Sequence, residues 1–129
     1  MKIHHIGYLV RKMEKARAAF LALGYQVTQD VQYDAGRKID ICFLEKDGYT
    51  VELVSPAAPD SVVSNLIRQY RNCPYHLCYT TADFDGEVEA LCQNGYVQMG
   101  APCPAPALGG RRVVFLMSAA LGMIELLEE

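Results

Sequence analysis

No stretch of this 129-residue chain approaches the ~20 apolar residues that span a bilayer. Its longest apolar run, near the C-terminus, is broken by Gly122 and Glu125. The opening MKIHHIGYLV lacks the apolar core and small-residue cleavage site of a secretory signal, so a cytoplasmic location is expected. No run of Lys or Arg reaches the density of a nucleic-acid footprint, and the formal net charge is -3. Nor is there a CxxC pair. The five cysteines are odd in number, which argues against a disulfide framework and against a zinc ribbon. Cys42, Cys78 and Cys92 sit in apolar patterns and are expected as buried free thiols. The remaining balance, 51% hydrophobic and 21% charged, is that of an ordinary globular protein, sized for one compact domain or two very small ones.

What the chain does have is an internal repeat. HHIGYLV, a helical stretch and LGYQV in the first half answer to YHLCYTT, a helical stretch and NGYVQ in the second. Nineteen positions separate His5 from Gly24, and nineteen separate His76 from Gly95; a Tyr follows each glycine. Further on, Cys42-Phe43-Leu44 matches Val114-Phe115-Leu116. Each triplet is followed by a turn glycine, Gly48 or Gly122, and then by an acidic strand, TVELV or MIELL. His5 to Glu52 spans 47 positions and His76 to Glu125 spans 49, a difference that a loop absorbs.

Each half reads as strand, helix and three strands. Residues 2–10 alternate as a strand. Residues 13–23 are rich in helix formers, with Met13, Ala16, Phe20 and Leu23 on one face and Gly24 ending the helix. Strands are expected over 26–33, 38–45 and 49–54, the last two joined at Lys46-Asp47-Gly48. In the linker, Asp60 or Ser61 is expected to cap a short helix carrying Val62, Leu66 and Ile67. The second half repeats the order with strand 75–81, helix 84–94 capped by Asp83, and strands near 96–101, 111–117 and 122–128. APCPAPALGG reads as a loop. The fold class expected is α+β, two tandem βαβββ modules forming one curved mixed sheet with the helices outside. The boundaries are a first module 1–55, a linker 56–73 and a second module 74–129, together a single domain.

The repeat places four residues in register. His5 shares a strand face with Gly7 and Leu9, and His76 shares one with Cys78 and Thr80. Glu52 and Glu125 each sit mid-strand between apolar neighbours, where a buried carboxylate is costly without a partner. Two imidazoles and two carboxylates related by a pseudo-twofold suit one divalent cation, Co, Ni, Zn, Mn or Fe, with two positions left open for water or substrate. Taken singly, a strand His or Glu is more often a satisfied or solvent-facing residue; the coincidence in both halves favours a ligand set. His4 falls on the opposite strand face and has no matching His, since Tyr75 stands there.

At these residues the sequence resembles the vicinal oxygen chelate superfamily, which contains glyoxalase I, methylmalonyl-CoA epimerase, extradiol dioxygenases and bleomycin-resistance proteins. HHIGYLV with LGY, CFLEKDGYTVELVSP, PYHLCY and RRVVFLMSAALGMIELLE follow the superfamily's order over essentially the whole chain. The resemblance implies paired βαβββ modules, a central metal held by His5, Glu52, His76 and Glu125, and proton abstraction α to a carbonyl. Glu125 and Glu52 are then the candidate bases. ELVSP followed by a Ser-containing helix, and the strand RVVFLM, are nearest the epimerase branch, although MSAALG replaces its HPK-like turn. A glyoxalase I-type lactoylglutathione lyase is the alternative, and a small-molecule binding or resistance protein the second. The intact quartet argues against the latter. An acyl-CoA thioester or a thiol–aldehyde adduct is the implied substrate, with Arg37, Lys38, Arg111 and Arg112 as candidate cationic contacts. Asp30 and Asp34 match no second acid cleanly. A homodimer is expected, because so small a chain buries a limited core.

Overall fold

Alternation decides which side of each strand meets a helix, and in this protein it does so twice. The computed structural model describes residues Met1–Glu129. They divide into two compact units, His5–Tyr75 and His76–Glu129 with Met1–His4.

The first unit takes β1 (Lys2–Leu9) from His5 onward, then α1 (Met13–Ala22), β2 (Gln26–Asp34), β3 (Ile39–Lys46), β4 (Tyr49–Pro56) and α2 (Ser64–Tyr70). Its strands lie in the order β2-β3-β4-β1. β1 is parallel to β4, and the two other pairings are antiparallel. Val51 and Leu53 of β4 turn toward α1 and pack with Val10, Met13, Cys42 and Leu44. Phe20 closes this core through edge-on contacts with Tyr8 and Tyr25. Glu52, between Val51 and Leu53, therefore takes the face away from the helix. The β3–β4 turn is the Asp-Gly type read from the sequence: Asp47 and Gly48 both have positive φ, 53° and 82°, as a two-residue hairpin requires. Gly24, at φ 90°, ends α1 as expected, and the Lys46 ammonium donates to the Leu23 carbonyl at 2.8 Å.

The second unit takes β5 (Cys73–Thr81) from His76 onward, then α3 (Phe84–Gln93), β6 (Val97–Ala105), β7 (Arg111–Ser118) and β8 (Gly122–Glu128), ordered β5-β8-β7-β6. Here β5 is parallel to β8, while β7 is antiparallel to both β8 and β6. The same logic puts Ile124 and Leu126 against α3, with Phe84, Val114 and Leu116, and turns Glu125 the other way. Each fully buried Leu in these two cores contributes about 1.5–3 kcal/mol. Asp83 caps α3 as expected, its side chain accepting from the Gly86 N–H at 3.2 Å. Arg112 staples helix to sheet. Its guanidinium holds both Asp85 oxygens at 3.1 Å and Glu128 at 2.7 Å, and lies 4.7 Å over the Phe84 ring.

Five local expectations fail, each for a physical reason. APCPA of the presumed loop is strand, because β6 is the outermost strand of its sheet and an outer strand tolerates Pro102 and Pro104. The register shift between Met99 and Cys103 and Gly100 at φ 88° take up the irregularity. Only Pro106–Leu108 departs from strand, as a single 3-10 turn. α2 begins at Ser64 without a side-chain cap. Asp60 is instead paired with Lys38, and Ser61 donates to the Arg37 carbonyl at 3.3 Å. Val62 thus precedes the helix and is exposed. Leu23 lies beyond the last helical residue of α1 and is also exposed. Cys92 projects from the outer side of α3 into solvent rather than into the core.

Candidate metal centre

β1 and β4 present His5 and Glu52 side by side. Glu52 is the register partner of Gly7 on one side and of Phe43 on the other, so His5, two residues from Gly7, shares its face. His5 Nε2 stands 3.5 Å from Glu52 Oε2, with side chains 0% and 6% exposed. The Phe43 ring meets the imidazole edge-on, centroids 5.4 Å apart. The second unit repeats the arrangement. Glu125 is in register with Cys78 and with Phe115. His76 Nε2 stands 3.3 Å from Glu125 Oε2, at 0% and 5% exposure. Phe115 meets the His76 ring edge-on at 5.1 Å.

These separations bear on whether a metal fits. A charge-assisted N–H···O bond runs about 2.7–2.9 Å, and both pairs are longer. Two donor atoms bound to one cation at about 2.0–2.2 Å stand about 3.0–3.5 Å apart, for angles between a right angle and tetrahedral. Each pair therefore has the spacing of two ligands on one ion. The chemistry agrees. Burying a carboxylate costs several kcal/mol unless a cation offsets it, and an imidazole nitrogen with a carboxylate oxygen is a donor set that divalent first-row metals accept. Within each unit the donor set fits a divalent metal.

The structure brings together His5 with Glu52 and His76 with Glu125. Cys78 is fully buried on the Glu125 face, as expected of it. His4 is half-buried. Of the cationic candidates, none stands ready for a ligand. Arg37 is bound to the buried Asp34 at 3.1 Å. Lys38 pairs with Asp60, which holds the ammonium above its ordinary value. Arg112 is the staple described above, and Arg111 donates to the Leu108 carbonyl at 3.0 Å. These four organise turns and strand ends. Asp34, considered as an acid, is spent on Arg37. The sequence reading did not single out Phe43 and Phe115 as positioning residues for the two imidazoles. Their signal was available, since they occupy equivalent places in the two repeats, one strand over from Glu52 and Glu125.

A family model, the glyoxalase/bleomycin resistance protein/dioxygenase superfamily, matches residues 4–115, and the chain belongs to that superfamily. Among solved structures, a hypothetical protein from Bacillus halodurans C-125 superposes with a TM-score of 0.88 at 21% identity, covering 99% of this chain and 94% of the other. Methylmalonyl-CoA epimerase from Mycobacterium tuberculosis gives 0.84 at 19% identity, covering 98% and 87%. A variant of the Streptomyces coelicolor methylmalonyl-CoA epimerase in complex with 2-nitronate-propionyl-CoA gives 0.84 at 19%, covering 100% and 94%. At such identities the likeness is one of fold. Comparison with curated proteins finds no match. No helix is long and apolar enough to cross a membrane.

Proposed function

We propose that the protein is a divalent-metal-dependent isomerase of the methylmalonyl-CoA epimerase kind, acting by proton abstraction α to the carbonyl of an acyl-CoA thioester. His5, Glu52, His76 and Glu125 would hold the metal, which is Co, Ni, Zn, Mn or Fe. The observation that carries this proposal is the duplicated buried imidazole–carboxylate pair, at ligand-to-ligand spacing in each unit. A sequestering protein of the same fold has no use for two such pairs. The epimerase-like neighbours, one of them described with a CoA-based compound, support the substrate class.

When bound, the metal supplies Lewis-acid stabilisation of negative charge developing on a carbonyl oxygen. The chain's own groups do the rest. Glu125 and Glu52 are the candidate bases, and an epimerase needs a proton acceptor on one face of the planar α-carbon and a donor on the other. Either carboxylate can take the proton, and a group that already carries a proton must deliver one to the opposite face. Phe43 and Phe115 hold the imidazole planes in place and keep their surroundings apolar, which strengthens electrostatic interactions there. We further propose that two chains pair. β6 is the outer strand of its sheet, exposed from Val97 to Pro104, and such an edge invites a partner.

The test is deuterium exchange at the α-carbon of methylmalonyl-CoA in heavy water, with each of the five metals added to chelator-treated protein. Exchange that needs metal and is lost on chelation is expected. Absence of exchange with every metal, alongside turnover of the methylglyoxal–glutathione adduct, would replace this function by the glyoxalase I-type lyase.

A further inference from the structure

The chain has 12 Lys and Arg residues, and the fold uses most of them. Five pair with carboxylates. Three more donate to neutral oxygens, among them Arg68 to Asn65. The side chains left without an acceptor are Arg11, Lys12, Lys15 and Arg71. They are not scattered. All four lie on two short segments of the first unit, 11–15 opening α1 and 68–72 closing α2. The Arg11 N–H donates to Asn72 Oδ1 at 2.8 Å, which ties the two segments together. With Arg68 they hold five cations against one acid, Glu14, in a chain of net charge -3. Concentrating like charge without pairing it costs the folded state self-repulsion.

Two cavities share Arg11. One, of about 320 Å³, is lined by Arg11, Lys12, Lys15 and Asn72. The other, of about 430 Å³, has Arg11 and Arg68 at its edge and Pro56, Pro59 and Ile67 among its walls. A cationic hollow beside one walled by Pro56, Pro59 and Ile67 matches a ligand with phosphates at one end and an apolar-faced ring system next to them.

We propose that this groove binds a phosphorylated nucleotide, its phosphates among Arg11, Lys12 and Lys15 and its base against the Pro56–Pro59 segment. Two sources carry that chemistry, the nucleotide end of a CoA thioester and a free nucleotide. The first rests on the function proposed above, and strand geometry is compatible with it. His5 lies six residues from Arg11, at most ~20 Å even for fully extended chain, a span that the pantetheine arm of CoA bridges. Phosphate contacts from guanidinium and ammonium groups are charge-assisted and salt-sensitive.

Calorimetric titration with coenzyme A, ADP and pantetheine tests the groove whether or not the protein is catalytically active. The comparison is between wild type and the doubly substituted R11E/K15E protein, both positions being exposed and the fold checked by circular dichroism. Expected is binding of coenzyme A or ADP that weakens at least about tenfold in the variant and falls with added salt, while pantetheine shows no difference. A raised KM for methylmalonyl-CoA at unchanged kcat in the variant assigns the groove to the substrate's nucleotide end. Loss of ADP binding with KM untouched assigns it to a free nucleotide. Failure of the epimerase assay alongside nucleotide binding that the variant loses would sink the function and leave the groove standing. Wild type that binds neither coenzyme A nor ADP at millimolar concentration, or equal affinity in both proteins, would overturn the proposal.

Discussion

Glu125→Gln separates the metal's contribution to stability from the fold's. The side chain is 5% exposed, 3.3 Å from His76 Nε2, and the amide keeps its volume and one oxygen. Without metal, the substitution removes a buried charge, whose desolvation opposes folding, and keeps a neutral polar group of the same size beside the imidazole. Metal-free stability should therefore change by no more than about 1 kcal/mol in either direction. With metal the two proteins part. A ligand present at about a thousandfold its dissociation constant stabilises the native state by about 4 kcal/mol. In a chain of this size each kcal/mol shifts Tm by about 3–6 °C, so wild type should gain on the order of 10–20 °C. The variant, lacking one anionic ligand, should gain only a few degrees at the same metal concentration. Scanning calorimetry of chelator-treated protein with and without Co, Ni or Zn makes the measurement. Turnover should fall on the order of a hundredfold or more, because the same carboxylate is a candidate base. An equal metal-induced shift in both proteins would refute the assignment of Glu125 as a ligand.

Three further outcomes follow from residues away from the metal. Thiol labelling of the native protein should modify Cys92 and Cys103 first, both exposed, and spare the buried Cys42 and Cys78; burial also pushes the Cys42 thiol up from its usual value, and fast reaction of Cys42 before unfolding would contradict the packing described. The hydrogen bond from Arg112 holds the Glu128 carboxyl below its ordinary value of 4.5. The stability it adds is present in full above that pH and is lost as pH falls through the lower, folded value; Arg112→Met should therefore lower the urea midpoint at neutral pH, with the gap from wild type narrowing in acid, and a pH-independent gap would show that the ion pair is not its cause. Light scattering at micromolar concentration should give twice the chain mass, and a monomer would exclude the pairing proposed.

The repeat was legible because it is written in spacing. His5, Gly24 and Tyr25 recur as His76, Gly95 and Tyr96, and the structure places the helix ends and the strand pairings of both units where that recurrence requires. Glu52 and Glu125 could be assigned to the face away from the helices from their apolar neighbours alone. What sequence could not show was the use of particular charges. Arg37, Lys38 and Arg112 look like free strand-end cations until Asp34, Asp60, Asp85 and Glu128 are seen beside them, and those acids lie up to 27 positions away. Arg11, Lys12 and Lys15 carry no signal in the sequence, because only the fold brings Asn72 to Arg11. Prolines misled at β6, since sequence does not say which strand is outermost, and that position is what makes Pro102 and Pro104 acceptable.

We propose that one divalent ion is held by His5, Glu52, His76 and Glu125. Anomalous diffraction at the absorption edge of Co or Ni, from crystals of the metal-loaded protein, tests it most directly. The expected result is one peak per chain, with His5 Nε2, His76 Nε2 and a carboxylate oxygen from each of Glu52 and Glu125 at about 2.0–2.2 Å. A peak held by other side chains, or none at the two imidazole–carboxylate pairs, would contradict it.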